Sequence, residues 1–280
     1  MNIKLKKSIV LFAIIFFFAW LAWDNNRICV SHYVIKNNLL PSTFNGYKIV
    51  HISDLHNASF GVTNNRLVDK IAAVEPDIIA ITGDLFDANH TNIDVGLCFV
   101  KEVIKIAPVY YVTGNHEAWI ENYGECIKPQ LEALGVVVLE DERMSLEKDG
   151  QKIALMGLDD PDIELNGDLF GEAEAMIDTK LERIESSDFC ILLSHRPELF
   201  SIYVKHSISC VLTGHAHGGQ FRIPFVGGVI APNQGLFPKY TAGIVSKENT
   251  QMIISRGLGE SIIPIRINNC PELVVVELTN

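Results

Sequence analysis

Tyr47-Lys48-Ile49-Val50-His51-Ile52-Ser53-Asp54-Leu55-His56 runs from a strand-like, β-branched stretch straight into an acid and an imidazole. The arrangement recurs down the chain. Ile78-Ile79-Ala80-Ile81-Thr82 leads to Gly83-Asp84, and Val109-Tyr110-Tyr111-Val112-Thr113 to Gly114-Asn115-His116-Glu117. Phe189-Cys190-Ile191-Leu192-Leu193 leads to Ser194-His195-Arg196, and the shorter Ile208-Ser209-Cys210-Val211-Leu212 comes just before Gly214-His215-Ala216-His217. Open α/β sheets build their sites where strands end and loops begin. Five such ends carrying Asp54, Asp84, Asn115, His56, His195, His215 and His217 predict a two-metal site, because carboxylate and imidazole suit Mn, Fe and Zn.

Taken singly, the blocks have ordinary readings too. Asp54 and His56 share a side if the backbone is extended, so one metal can take both; they equally fit a turn cap and a surface histidine. Gly83 lets the backbone approach closely or take positive φ before Asp84, although Gly-Asp is also a common turn. Asp87 reads as a loop acid or a support for the ligands. Asn115 offers a neutral carbonyl oxygen, while the same block fits a helix start, with Asn115 as N-cap and Glu117 in the first turn. A lone His195 after a strand is more often a core residue. His215 and His217 again share a side, and Gly214, Gly218 and Gly219 free the backbone around them.

The order D-x-H, G-D, G-N-H-E, H, G-H-x-H resembles the calcineurin-like metallophosphoesterases, from about Tyr47 to the C-terminus. The stretch Gly214 to Pro224 and the later Ser255-Arg256-Gly257-Leu258-Gly259 resemble the branch of membrane-associated and exported bacterial phosphodiesterases. The resemblance implies a four-layer α/β/β/α sandwich of two mixed sheets. It assigns one metal to Asp54, His56, Asp84 and His217, and the other to Asp84, Asn115, His195 and His215. It makes Asp84 the bridge and Mn the expected metal, with Fe or Zn as the others. A bridging hydroxide then attacks phosphorus in line, with no covalent intermediate. His116 stands beside the metals, where it suits a general acid for the leaving alkoxide, and Glu117 orients His116 or a neighbour. Arg222, Arg196 and Arg256 are candidates for gripping phosphate oxygens, each equally a salt-bridge residue.

Around these blocks, strands alternate with helices at about 65–74, 95–106 and 123–134. Strands at 136–139 and 152–158 follow, then a polar helix at 169–185 and a helix starting at Pro197, a residue suited to a first turn. Beyond 210 the pattern is β-rich, with runs at 253–255 and 273–278. Strands alternating with helices, then β, predict two sheets packed between helices. No repeat interrupts residues 46–280, which read as one catalytic domain.

The chain has 280 residues, 48% of them hydrophobic, which fills a substantial core. Net charge is −11, from 23 basic and 34 acidic residues. No nucleic-acid partner is expected, since such a partner needs a basic face. Ser8 to Trp23 carries no charge, and Lys4, Lys6 and Lys7 precede it. Residues 1–24 read as an uncleaved signal anchor and 25–45 as a connector. The lysines place the N-terminus in the cytoplasm and the catalytic domain outside a single-pass membrane anchor. The six cysteines are scattered without a CxxC and read as small buried hydrophobes, in a compartment that permits disulfides.

Three functions compete. The first is an envelope phosphodiesterase acting on a phosphoester substrate that is lipid-linked or cell-wall related. The second is a tethered phosphomonoesterase or nucleotidase, or a lipid-linked UDP-sugar pyrophosphatase, which needs the opposite orientation. The third is a non-catalytic scaffold, which usually loses ligands; here every ligand block is present.

Overall fold

The β-branched runs become strands of two sheets in the computed structural model, which describes residues 3–165, 170–182, 188–260 and 263–280. In chain order the strands are β1 Cys29–Lys36, β2 Tyr47–Ile52, β3 Ile78–Thr82, β4 Val109–Val112, β5 Val137–Val138, β6 Glu142–Lys148, β7 Gln151–Gly157, β8 Cys190–Leu193 and β9 Cys210–Thr213. Two small hairpins follow, β10 Arg222–Ile223 with β11 Gly227–Gly228, and β12 Ile230–Ala231 with β13 Gly235–Leu236. β14 Gly243–Lys247, β15 Thr250–Ile254 and β16 Glu272–Thr279 complete the set. The helices are α1 Ile3–Asn26, α2 Asn65–Ala72, α3 Ile93–Val103, α4 Asn115–Trp119, α5 Lys128–Ala133, α6 Asp162–Leu165, α7 Phe170–Glu182 and α8 Phe200–Lys205.

The first sheet has the order β1-β16-β2-β3-β4-β5, and the second β14-β15-β9-β8-β7-β6. Both are mixed: β2, β3, β4 and β5 run parallel, as do β7, β8, β9 and β15, and antiparallel partners lie beside them. Side chains alternate across each sheet. Ile49, Ile78 and Val112 of the first sheet meet Leu155, Ile191 and Leu212 of the second in a shared core. Val50, Ile52, Ile79 and Ile81 face the other way, onto Leu67, Ile71, Phe99 and Leu131 of the helices. Met156, Leu192 and Val211 cover the second sheet's outer face with Ile177, Leu181 and Tyr203. The result is the α/β/β/α sandwich of four layers. Because β2, β3, β4, β8 and β9 are parallel within their sheets, their C-terminal ends emerge on one edge.

The structure departs from the sequence reading at four places. Residues 25–45 are more than a connector. β1 lies within them as an edge strand, parallel to β16, and Cys29 is disulfide-bonded to Cys270. Cys190 and Cys210 are buried as expected, but Cys98 and Cys126 are exposed. The helix expected at 123–134 splits into a π-helical turn at Tyr123–Ile127 and α5. Pro129, near the start of α5, lacks the N–H that would continue an unbroken helix. α7 replaces the expected 169–185, of which 169 and 183–185 lie outside the described residues.

Candidate metal centre

Seven side chains converge on that edge, all buried: Asp54, His56, Asp84, Asn115, His195, His215 and His217. Asp54 and His56 follow β2, Asp84 follows β3, and Asn115 opens α4 after β4. His195 follows β8, and His215 and His217 follow β9. The pairs do not use extended backbone, as the i, i+2 spacing suggested. Asp54, His56, Asp84, His215 and His217 all have φ between 43° and 64°. Five non-glycine residues held in this costly region mark a site whose surroundings enforce it. Two glycines make the approach close enough. A Cβ on Gly83, at φ 82°, would sit 2.5 Å from the Gly114 nitrogen. One on Gly214 would sit 1.7 Å from Ser53 Oγ and 2.4 Å from Asp54 Oδ2.

Asp84 lies at the middle. Its Oδ1 accepts the His116 N–H at 2.9 Å. Its Oδ2 is 3.3 Å from His56 Nε2 and also 3.3 Å from His195 Nε2. On one side His56 Nε2 lies 3.2 Å from His217 Nε2, and His217 Nε2 lies 3.3 Å from Asp54 Oδ1. On the other, His195 Nε2 lies 3.2 Å from Asn115 Oδ1 and 3.1 Å from His215 Nδ1. The two halves contain two groups that could each hold a cation, Asp54, His56, Asp84 and His217 on one side and Asp84, His195 and His215 on the other.

This donor set fits two divalent cations. Imidazole nitrogens face one another at hydrogen-bond distance, and burial pushes His56 down to about 4 and His215 and His217 well below their ordinary value. Neutral rings have a lone pair to offer. Burial also opposes charge on His195, but the Asp84 carboxylate outweighs it and raises that ring to about 10. Burial likewise opposes ionisation of Asp84, yet His195 and His56 hold its carboxyl well below the usual range. The spot attracts positive charge. His195 Nδ1 donates to the Thr82 carbonyl at 2.7 Å, so Nε2 is the nitrogen that faces the centre and would ligate once a cation displaces its proton, the outer hydrogen bond typical of a metal-binding histidine.

His116 stands just outside the seven. Its ring lies 4.4 Å from that of His56 and 5.0 Å from that of Trp119. Its Nδ1 accepts the Ala88 N–H at 3.1 Å, with Asp87 Oδ1 at 3.6 Å. His56, Asp87 and His116 form a third group that could hold a cation. α4 begins at Asn115, so Gly114 is its N-cap and Asn115 is not. Glu117 does not touch His116. Its carboxylate accepts the backbone N–H groups of Asp84 at 2.8 Å, Gly114 at 2.7 Å and Phe86 at 3.1 Å, which fastens the loops after β3 and β4 together. Burial, then the Asp84 charge, pushes it up to about 7.

The three arginines are not drawn into the cluster. Arg196 is clamped to Asp160 at 2.6 and 2.7 Å and to Asp162 at 2.9 Å. Arg222 donates to the Gly218 carbonyl at 2.6 Å, and Arg256 pairs with Glu272 at 3.0 Å. The guanidinium that does reach a candidate ligand is Arg266, which is fully buried and 3.4 Å from His217 Nδ1. It also donates to the carbonyls of Gly259 and Arg256. Flanked by Ile265 and Ile267, it carries no motif; the only hint is an isolated charge in an apolar run.

Comparison with known proteins agrees with this geometry. The profile described as calcineurin-like phosphoesterase matches residues 47–219. The chain is 30% identical to the metallophosphoesterase YkuE of Bacillus subtilis over 261 residues, covering 91% of this chain and 87% of that one. It is 27% identical to the phosphodiesterase YaeI of Escherichia coli over 252 residues, covering 87% and 84%. Among solved structures, that of TT1561 from Thermus thermophilus aligns with a TM-score of 0.50 at 13% identity, over 76% of this chain and 90% of that one, a likeness of fold. With the profile spanning most of the chain and a relative aligned along nearly all of it, this chain belongs to the calcineurin-like phosphoesterase family and is a phosphoester hydrolase.

Proposed function

We propose that the chain is a dimetal phosphodiesterase held at a membrane by α1, with its catalytic domain outside the cytoplasm. The observation that carries the catalytic part is Asp84 Oδ2, equidistant from His56 and His195, each the head of a separate ligand group. Asp54, His56, Asp84 and His217 would hold one cation and Asp84, Asn115, His195 and His215 the other, with Mn the first choice for this N/O set. Bound there, two cations supply Lewis-acid charge at the phosphoryl oxygens and water activated at neutral pH. The protein's own residues do the rest. With Nδ1 accepting the Ala88 N–H, Nε2 of His116 is the ring atom left to carry a proton toward a leaving alkoxide. Asp87 lies beside that ring, its Oδ1 3.6 Å from Nδ1. Glu117 keeps the loops bearing Asp84 and Asn115 in register.

A diester is favoured by room on both sides of the centre. One cavity of about 400 Å³ touches His56 and another of about 320 Å³ touches His217. The name of the Escherichia coli relative points the same way. Chelator-stripped, Mn-reconstituted protein is expected to prefer bis(p-nitrophenyl) phosphate over p-nitrophenyl phosphate by about tenfold or more in kcat/KM, the scale at which a pocket discriminates. A monoester preference replaces this reading with a tethered phosphatase or nucleotidase.

For location, α1 is long and apolar enough to cross a membrane, and none of its apolar stretch is buried against the rest of the chain. Lys4, Lys6 and Lys7 favour a cytoplasmic N-terminus. The Cys29–Cys270 disulfide, just beyond the helix, suits an oxidising compartment. Membranes should therefore hold full-length protein that resists salt and is released by detergent. Protease added to intact protoplasts should digest the domain. A domain protected until the membrane is breached reverses the orientation and favours a cytoplasmic-face pyrophosphatase of lipid-linked precursors.

A further inference from the structure

The end of α1 is bolted to the metal centre through one loop. Asn25 Nδ2 donates to the Arg266 carbonyl, and the Arg266 N–H donates to Asn25 Oδ1, both at 2.8 Å. Asn25 and Asn26 line the same cavity as His56, Asp87 and Arg266. The loop is also tied to the turn that carries His217. Gln220 Nε2 donates to the carbonyls of Ile263 and Ile265 at 2.7 and 2.6 Å, and Asn269 Nδ2 donates to that of His217 at 2.8 Å. The exit of the apolar helix and a candidate metal ligand are thus tied by hydrogen bonds to one lip.

That lip is apolar on its outside. Phe225, Val226, Leu236, Phe237, Ile263 and Ile265 are exposed on the β10–β11 and β12–β13 hairpins and on the loop. Behind them, Ile230, Ala231, Pro232 and Ile263 wall the 320 Å³ groove that reaches His217 and Gln220. A soluble enzyme rarely shows a contiguous apolar patch of this kind without a partner for it. Here the helix ending on the same lip names the partner, because it holds the patch at the lipid surface.

We infer that this groove binds the apolar chain of an amphiphilic phosphoester drawn from the bilayer, with the phosphate at the metal centre. The assignment rests on the phosphodiesterase reading above and adds the class of substrate. A chain in the groove lies beside His217, and the polar ester arm occupies the cavity of His56 and Asp87. The lip contacts the lipid surface, so the chain leaves the bilayer without crossing water.

The test uses full-length, Mn-loaded protein in lipid nanodiscs and p-nitrophenyl alkyl phosphodiesters from methyl to octyl. Each methylene taken into the groove should raise kcat/KM about fourfold, the transfer value of one buried CH₂. The double variant I230S/I263S, altered at two half-exposed wall positions, should flatten that series, read as the slope of kcat/KM with chain length within each protein. A pyrene-labelled alkyl methylphosphonate should bind wild-type, metal-free protein more tightly than the variant. Equal kcat/KM for methyl and octyl esters overturns the inference, as does an equal chain-length slope in wild type and variant, which would trace the gain to partitioning into the lipid. If the labelled phosphonate binds in the groove but no diester is hydrolysed, the groove stands and the phosphodiesterase reading falls.

Discussion

Asp84→Asn is expected to leave the protein folded while removing both cations of the proposed dimetal site and its activity. Asparagine has the shape of aspartate, and its oxygen can still accept the His116 N–H that Oδ1 accepts at 2.9 Å. Its amide nitrogen then stands where Oδ2 stands, 3.3 Å from His56 and from His195. A donor there faces the imidazoles with hydrogens and can ligate neither cation. The loss is therefore shared by both halves, unlike that of Asn115→Ala, which touches one. Metal analysis should show content falling from about two cations per chain toward none, because the ligand lost is common to a two-metal clamp. Hydrolysis of an aryl phosphodiester should drop by more than about 10³-fold, since Lewis-acid stabilisation supplies several kcal/mol at about 1.4 kcal/mol per decade. Circular dichroism guards against simple unfolding. A folded Asp84→Asn protein with normal metal content and rate sinks the dimetal assignment.

That the seven site residues cluster was legible because each sits at the end of an apolar run, where residue type and position speak together. The sandwich was legible for the same reason: Ile49 and Val50 point to opposite faces, and both faces are apolar, so helices must cover one and a second sheet the other. What stayed hidden depends on long-range partners. The pairing of β1 with β16 joins residues 243 apart, such as Cys29 and Glu272, and the Cys29–Cys270 disulfide joins residues 241 apart; no local pattern encodes either. Arg196 looked free to hold phosphate because Asp160 and Asp162 lie on a distant loop in sequence, yet they take its donors in the fold. Left-handed backbone at Asp54 and His217 was invisible for a related reason. Local propensity disfavours it, and it occurs where backbones approach closely, as Gly214 does to Asp54, a closeness only the folded chain shows.

His116 poses the opposite case to Asp84: a side chain at the centre that should matter to rate and not to metal. Its backbone N–H donates to Asp84 Oδ1, but its ring lies outside the cluster. Its ring packs beside His56 and Trp119, its Nδ1 is occupied by Ala88 N–H, and Asp87 waits 3.6 Å away. Such a group can protonate a departing alkoxide without ligating a cation. His116→Ala should therefore keep about two metals, as a two-metal clamp without this residue would. It should slow hydrolysis of an alkyl diester by about 10²–10⁴-fold, the range for a positioned acid. A nitrophenolate departs without a proton, so the same variant should lose far less on a nitrophenyl diester. The signature is a steeper dependence of rate on leaving-group basicity, which a structural defect would not produce, since that would lower all substrates alike. A uniform loss with both metals retained removes the acid role. Loss of one cation would instead turn attention to the group of His56, Asp87 and His116, whose donor atoms lie within 4.8 Å of one another, and would make His116 a ligand.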